Sequence, residues 1–212
     1  MNRRLFINRL ALAAAGGLCL SDPRAFARAA AGRKLPRIGM QLYTVRRELA
    51  KDFGGTLAKV AALGYREVEF AGYFGHKAAE VRSLLKRLRL EAPAAHVQLT
   101  ELRGDLRPLV EAARAVGHKY LLVAWLPPEE RRTLDDYRRL ADLFNEAGAA
   151  LGREGLQFAY HNHDFEFAPL EGKVPYDLLL ERTDPRAVKL EMDLYWTVKG
   201  GASPVEYFER HP

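Results

Sequence analysis

One pattern recurs along this chain and restricts its folds more than any other feature. A short apolar strand, a turn and an amphipathic helix follow one another six times. Residues 37–45 read as a strand, 48–63 as a helix closed by Gly64, and 65–70 as an alternating strand. Residues 76–90 form a basic amphipathic helix, 91–99 a strand with Pro93 near its start, and 106–116 a helix stopped by Gly117. An almost wholly apolar strand at 120–126 precedes a long helix at 134–154, ended by Gly155. Strands at 156–163 and 187–196 and helices at 176–181 and 204–210 complete the series. The helix stops are where glycine is favoured. Alternating strands and helices predict a parallel α/β sheet with right-handed crossovers.

Two architectures satisfy that pattern. A doubly wound nucleotide-binding sheet needs a glycine-rich turn after its first strand. Here that position holds Thr44, Val45, Arg46 and Arg47. Polar residues instead gather at the C-terminal ends of several strands, where a TIM barrel carries its chemistry. The expectation is a (β/α)8 TIM barrel, incomplete after about six β/α units, over residues 36–212.

Residues 1–31 read differently. Arg3 and Arg4 precede a charge-free stretch over 10–20, and a small-residue segment follows at 25–31. This is the layout of a secretory signal. The paired arginines ahead of Phe6 and Ile7 resemble a twin-arginine export signal, so a periplasmic or otherwise exported protein is expected. The apolar run is too short for a stable membrane span. Five arginines against Asp22 place four of the formal net charge of +6 within residues 1–29. The remainder is close to neutral, and its basic runs alternate with leucines as solvated helix faces do. No nucleic-acid partner is expected. Cys19, the single cysteine, lies in the signal; without it the mature chain has neither a disulfide nor a thiolate.

The strand ends supply the candidate site. Gln41 and Tyr43 share a face by the period-two rule, as do Glu67 and Glu69. His96 and Trp125 lie near the ends of the third and fourth strands. His161 and His163 share a face of the fifth, with Asp164 and Glu166 just beyond. Lys189, Glu191, Asp193 and Tyr195 share a face of the sixth. Carboxylates on a packed strand face need a partner or an ion. Imidazole with carboxylate suits Zn²⁺, Mn²⁺ and similar ions. Such an ion polarises a carbonyl while a carboxylate moves a proton between carbons. Glu191, one layer deeper, can equally pair with Lys189 or an arginine. His76, His118 and His211 read as surface residues.

Five segments, IGMQLYTVR (38–46), GYREVEFAGYFGH (64–76), AAHV (94–97), YHNHDFEF (160–167) and KLEMDLYW (189–196), together resemble the xylose isomerase-like TIM-barrel superfamily, whose members include sugar phosphate isomerases and epimerases. The resemblance implies one divalent ion (Mn, Zn, Co or Mg) and a small-molecule sugar or cyclic polyol as substrate. It implies Asp193 as a metal ligand and His161 where the family has a glutamate. Two further ligands would come from later strands, outside these 212 residues. Glu166 and His163 are then the expected catalytic groups, and Gln41, Tyr43, Glu69, His96, Trp125 and Trp196 the substrate-binding ones. The expected activity is a metal-dependent isomerase or epimerase. A keto-sugar or inosose-type lyase and a noncatalytic carbohydrate-binding protein are the alternatives, the first favoured by His161. Oligomeric state is not readable from the sequence.

Overall fold

The computed structural model describes residues 37–211. The signal expected over 1–31 lies outside them. Six parallel strands pair in chain order: β1 (Gly39–Gln41), β2 (Glu67–Phe70), β3 (Glu91–Val97), β4 (Tyr120–Val123), β5 (Gln157–His161) and β6 (Val188–Glu191). Strictly sequential order means that every crossover steps one strand the same way. A doubly wound sheet reverses direction midway; this one does not. It is the α/β sheet of a TIM barrel through six β/α units.

Helices cover one face. They are α1 (Arg46–Lys51), α2 (Phe53–Ala62), α3 (Ala78–Leu88), α4 (Leu99–Leu102), α5 (Arg107–Val116), α6 (Leu134–Arg153), α7 (Pro175–Arg182), α8 (Leu194–Lys199) and α9 (Pro204–Arg210). The twenty-residue α6 starts on a capping box between Thr133 and Asp136, which satisfies otherwise orphaned N–H groups. Its apolar stripe, including Tyr137, Leu140, Phe144 and Leu151, is fully buried. Phe144 packs on Phe158 and Tyr160 of β5, with ring centroids 5.2 and 5.3 Å apart. Each such buried side chain contributes about 1.5–3 kcal/mol of transfer free energy. The α5 helix ends at Gly117, whose φ of 98° closes the helix in the left-handed region. No helix among the described residues is long and apolar enough to cross a membrane.

The contact between α6 and the start of β6 depends on Gly148. A Cβ there would stand 2.5 Å from the Ala187 carbonyl oxygen and 2.9 Å from its carbon. Backbone cannot swing aside as a side chain can. Gly148→Ala is therefore expected to cost about 1–3 kcal/mol despite the better helix propensity of alanine, measured as a lower urea midpoint.

The other sheet face carries mainly alanine at mid-height: Ala94 and Ala159 pack with Leu122 against Ala124. They leave room above them at the C-terminal strand ends. One irregularity governs which residues point there. Glu67 pairs with Glu91, but Glu69 pairs with Ala94, so β3 holds an extra residue. Ala92 and Ala95 join the helix-side core, whereas Pro93 and Ala94 both line the inner cavity. Two consecutive residues face inward, and the phase of β3 flips at Pro93. This is the bulge geometry that re-aims side chains beside a site.

All six strands are shorter than the sequence suggests. The first ends at Gln41 and continues as a 3₁₀ turn over Leu42–Val45, so Tyr43 leaves the sheet and is exposed. The fifth ends at His161 and the sixth at Glu191. His118, read as a surface residue, is buried. Its Nδ1 lies 2.6 Å from the Ala92 carbonyl oxygen and its Nε2 2.6 Å from the Tyr73 hydroxyl. A loop histidine with both ring nitrogens satisfied can enter a core that strand spacing does not reveal.

Candidate active site

Four strands aim titratable groups into one space. Glu69 from β2, His96 from β3, His161 from β5 and Glu191 from β6 stand at the C-terminal strand ends. His96, His161 and Glu191 each offer one ligand atom within 4.8 Å of the others. A cavity of about 550 Å³ adjoins the cluster, lined by Gln41, Glu69, His161, Glu191, Asp193 and Tyr195 among others.

Two carboxyl–imidazole pairs make up the cluster. Glu69 Oε1 lies 2.7 Å from His96 Nε2, and His161 Nδ1 lies 2.8 Å from Glu191 Oε1. Gln41 Nε2 also approaches His96 Nε2, at 3.3 Å. An amide nitrogen only donates, and the Gln41 oxygen is occupied by the Tyr43 N–H. The Gln41 amide and the Glu69 carboxyl thus both address the single Nε2 of His96. Burial pushes the Glu69 carboxyl up, and the neighbouring Glu191 carboxyl adds to that shift against the pull of His96. Burial acts on Glu191 in the same sense, but hydrogen bonds from His161 and Glu69 outweigh it and hold Glu191 lowered. Burial alone would lower His161; Glu191, with Asp193 and Glu69, raises it. The two carboxyls are thus pushed in opposite directions, Glu69 up and Glu191 down, side by side.

Asp193 stands at the rim. It is the N-cap of α8, where its Oδ1 accepts the Trp196 N–H at 2.9 Å. Its Oδ2 lies 3.5 Å from His161 Nε2. The two residues expected as metal ligands are therefore adjacent. His96, expected to bind substrate, is instead part of the three-residue group, and so is Glu191. Lys189 is not the partner of Glu191; its Nζ donates to the Pro185 carbonyl at 2.6 Å.

An aromatic wall flanks the cluster. His163 follows β5 and lies 5.4 Å from the His161 ring. It stacks on Phe165 at 5.7 Å and an interplanar angle of 5°, and meets Trp125 edge-on at 5.3 Å. Trp196, on α8, approaches it at 5.0 Å. Burial and the neighbouring His161 push the His163 pKa down to about 4, so it is neutral near pH 7. Trp125 is half exposed and Tyr43 and Tyr195 more so. They are amphipathic surfaces suited to a ring with both apolar and hydroxyl-bearing faces.

Glu166, expected as a catalytic acid or base, lies elsewhere. It is fully buried. One oxygen accepts the Tyr160 hydroxyl and the other the His163 backbone N–H at 2.9 Å. Tyr160 belongs to the helix-side core, so Glu166 points away from the cavity. Desolvation raises its pKa to about 7. Its position just after the strand end could not reveal this, because a 3₁₀ turn over Phe165–Phe167 reverses the side chain.

No family model matches the chain, and no curated protein matches it. Solved structures do. A sugar phosphate isomerase/epimerase from Parabacteroides distasonis is 30% identical, with 83% of this chain and 75% of that one covered and a TM-score of 0.75. A second sugar phosphate isomerase/epimerase from the same organism is 24% identical, with 85% and 74% covered and a TM-score of 0.72. The zinc-binding IolI protein shares the fold at 13% identity and a TM-score of 0.60, with 79% and 66% covered. Sequential parallel strands, polar strand ends and 30% identity over a match that covers three-quarters of the first of these proteins lead to one assignment: the chain belongs to the sugar phosphate isomerase/epimerase family, on the xylose isomerase-like TIM-barrel fold.

Proposed function

We propose that this chain moves a proton at a carbon next to a carbonyl in a sugar or cyclic polyol, with a divalent ion at the strand-end cluster. The observation that carries the reading is the convergence of His96, His161 and Glu191 at one mouth. Two imidazoles and a carboxylate fit Zn²⁺, Mn²⁺ or Co²⁺. Ligand atoms about 2.1 Å from a tetrahedral ion stand roughly 3.4 Å apart, so modest side-chain movement would close the set. When bound, the ion supplies Lewis-acid polarisation of a substrate oxygen.

The remaining roles fall to the chain's own groups. Glu69 and His96 exchange a proton across their 2.7 Å contact, with Gln41 holding the imidazole in place. Trp125, Trp196 and Tyr43 offer faces for a sugar ring. Glu166 supports the loop that carries His163. The proposed setting is the periplasm, by way of the twin-arginine segment.

Incubation of the full chain in D₂O with a panel of ketoses, aldoses and inososes, with and without Mn²⁺, Co²⁺ or Zn²⁺, tests the reading. Deuterium entry at the carbon beside the carbonyl, dependent on the ion, is the expected result. Elimination products without exchange would establish a lyase instead. Saturable sugar binding without exchange or turnover would establish a binding protein.

A further inference from the structure

Asn162 sits between the two histidines of the site and faces away from the cavity, with no solvent exposure at all. Its side chain makes four contacts, and every one runs to the end of β5, to Asp193 or to α8. Oδ1 accepts the Asp193 backbone N–H at 2.9 Å. Nδ2 faces Thr197 Oγ1 at 3.2 Å, the His163 carbonyl at 3.3 Å and the Asp193 carbonyl at 3.4 Å. A backbone N–H needs an oxygen, so the network fixes which end of the amide points where. Thr197, also fully buried, donates to the Asp193 carbonyl at 2.8 Å.

The Asp193 peptide is thus held on both sides: its N–H by Asn162, its carbonyl by Asn162 and Thr197. That anchoring lies just beyond the last ladder pair of the two strands, His161 with Glu191. Past that pair no strand hydrogen bond controls where Asp193 stands. Its side chain divides its oxygens between capping α8 and facing His161. Rotating the peptide by a few tens of degrees would break that division.

We infer that Asn162 is a positioning residue of the active site: it locks the Asp193 peptide to β5, so that Asp193 Oδ2 stands against Nε2 of His161. Buried amides that bond only to backbone and to one hydroxyl act through geometry, and their loss leaves desolvated groups unpaired. Asn162 touches no cavity-facing atom and has no other task in the site.

The test uses the full chain with ¹⁵N-labelled histidine, in EDTA, and reads ring nitrogen shifts by long-range ¹H–¹⁵N NMR. Asp193→Asn sets the reference by removing the carboxylate that faces His161. Asn162→Ala is expected to move the His161 Nε2 signal in the same direction and by a comparable amount. The His118 signals, fixed by Tyr73 and Ala92, are expected to stay in place and so report that the fold is intact. If His118 shows that Asn162→Ala is unfolded, Thr197→Val decides, because it removes one hydroxyl from the same network. A His161 shift in Thr197→Val, restored in Thr197→Ser, supports the inference. A folded Asn162→Ala or Thr197→Val with unmoved His161 overturns it. So does an Asp193→Asn protein in which His161 does not respond. The ring spectra need neither ion nor sugar, so a chain that bound neither would sink the proposed function and leave this inference standing.

Discussion

Glu166→Gln is expected to flatten the pH dependence of stability between about 4.5 and 7 and to raise the melting temperature at pH 8. The folded carboxyl titrates near 7 against a reference of 4.5 because it is desolvated. A carboxyl whose folded value is raised binds its proton more tightly in the folded state. Its stabilising contribution is full below the unfolded value and disappears as pH climbs through the folded one. The loss amounts to about 3 kcal/mol at alkaline pH, or roughly 6–12 °C for a chain of this size. Glutamine keeps both contacts: its oxygen accepts the His163 N–H, and its amide donates to the Tyr160 oxygen. It carries no charge to desolvate. Thermal melts of the two proteins from pH 4 to pH 9 check this. Parallel curves for wild type and variant would show that the carboxyl is solvated or already paired.

Glu191→Gln is expected to reduce ion-dependent deuterium exchange by about 10–100-fold, because it takes the carboxylate from the proposed ion site while Glu69 and His96 remain to move the proton. It leaves the side chain's shape intact and takes away the charge that His161 Nδ1 meets at 2.8 Å. Affinity for Co²⁺, measured by calorimetry, is expected to fall about 10–100-fold, as when a carboxylate that orients a metal-bound imidazole is lost. Asp193→Asn is expected to act more weakly on exchange, because one Asp193 oxygen is committed to the helix cap. Equal exchange rates in Glu191→Gln and wild type would remove Glu191 from the chemistry.

The repeated strand–helix pattern was enough to read the architecture, because helix stops and apolar runs are local signals. The residues at the site were readable in part. His161 and Glu69 follow from alternation along short strands. Glu191 was visible as a carboxylate on an inward face near His161 and His163 of the adjacent strand, but which histidine it meets was not, since that is a contact between strands. Tyr43, Asp193 and Trp196 lie past the true strand ends, where alternation no longer applies and a turn or helix cap sets direction. Glu166 shows the same limit: in a loop, sequence distance from a strand end does not say which side of the sheet a carboxyl will face. Asn162 gave no signal, since alternation puts it on the face opposite His161 and His163 but does not show the Asp193 peptide across the sheet that it holds.

The extra residue at Pro93 has a consequence of a different kind. Along a regular strand, Glu69 and His96 would fall on opposite sides of the sheet, since the Glu67–Glu91 pairing puts even-numbered residues of β3 toward the helices. Their meeting therefore depends on a count of residues as well as on their identity. Straightening β3 without removing a residue would send His96 into the helix layer and bring Ala95 to the cavity, whereas deleting Pro93 would restore regular alternation with His96 still facing inward. A substitution scan would leave this dependence hidden. In comparing relatives, a one-residue gap near this point then marks a regular third strand that brings its histidine to the same cavity.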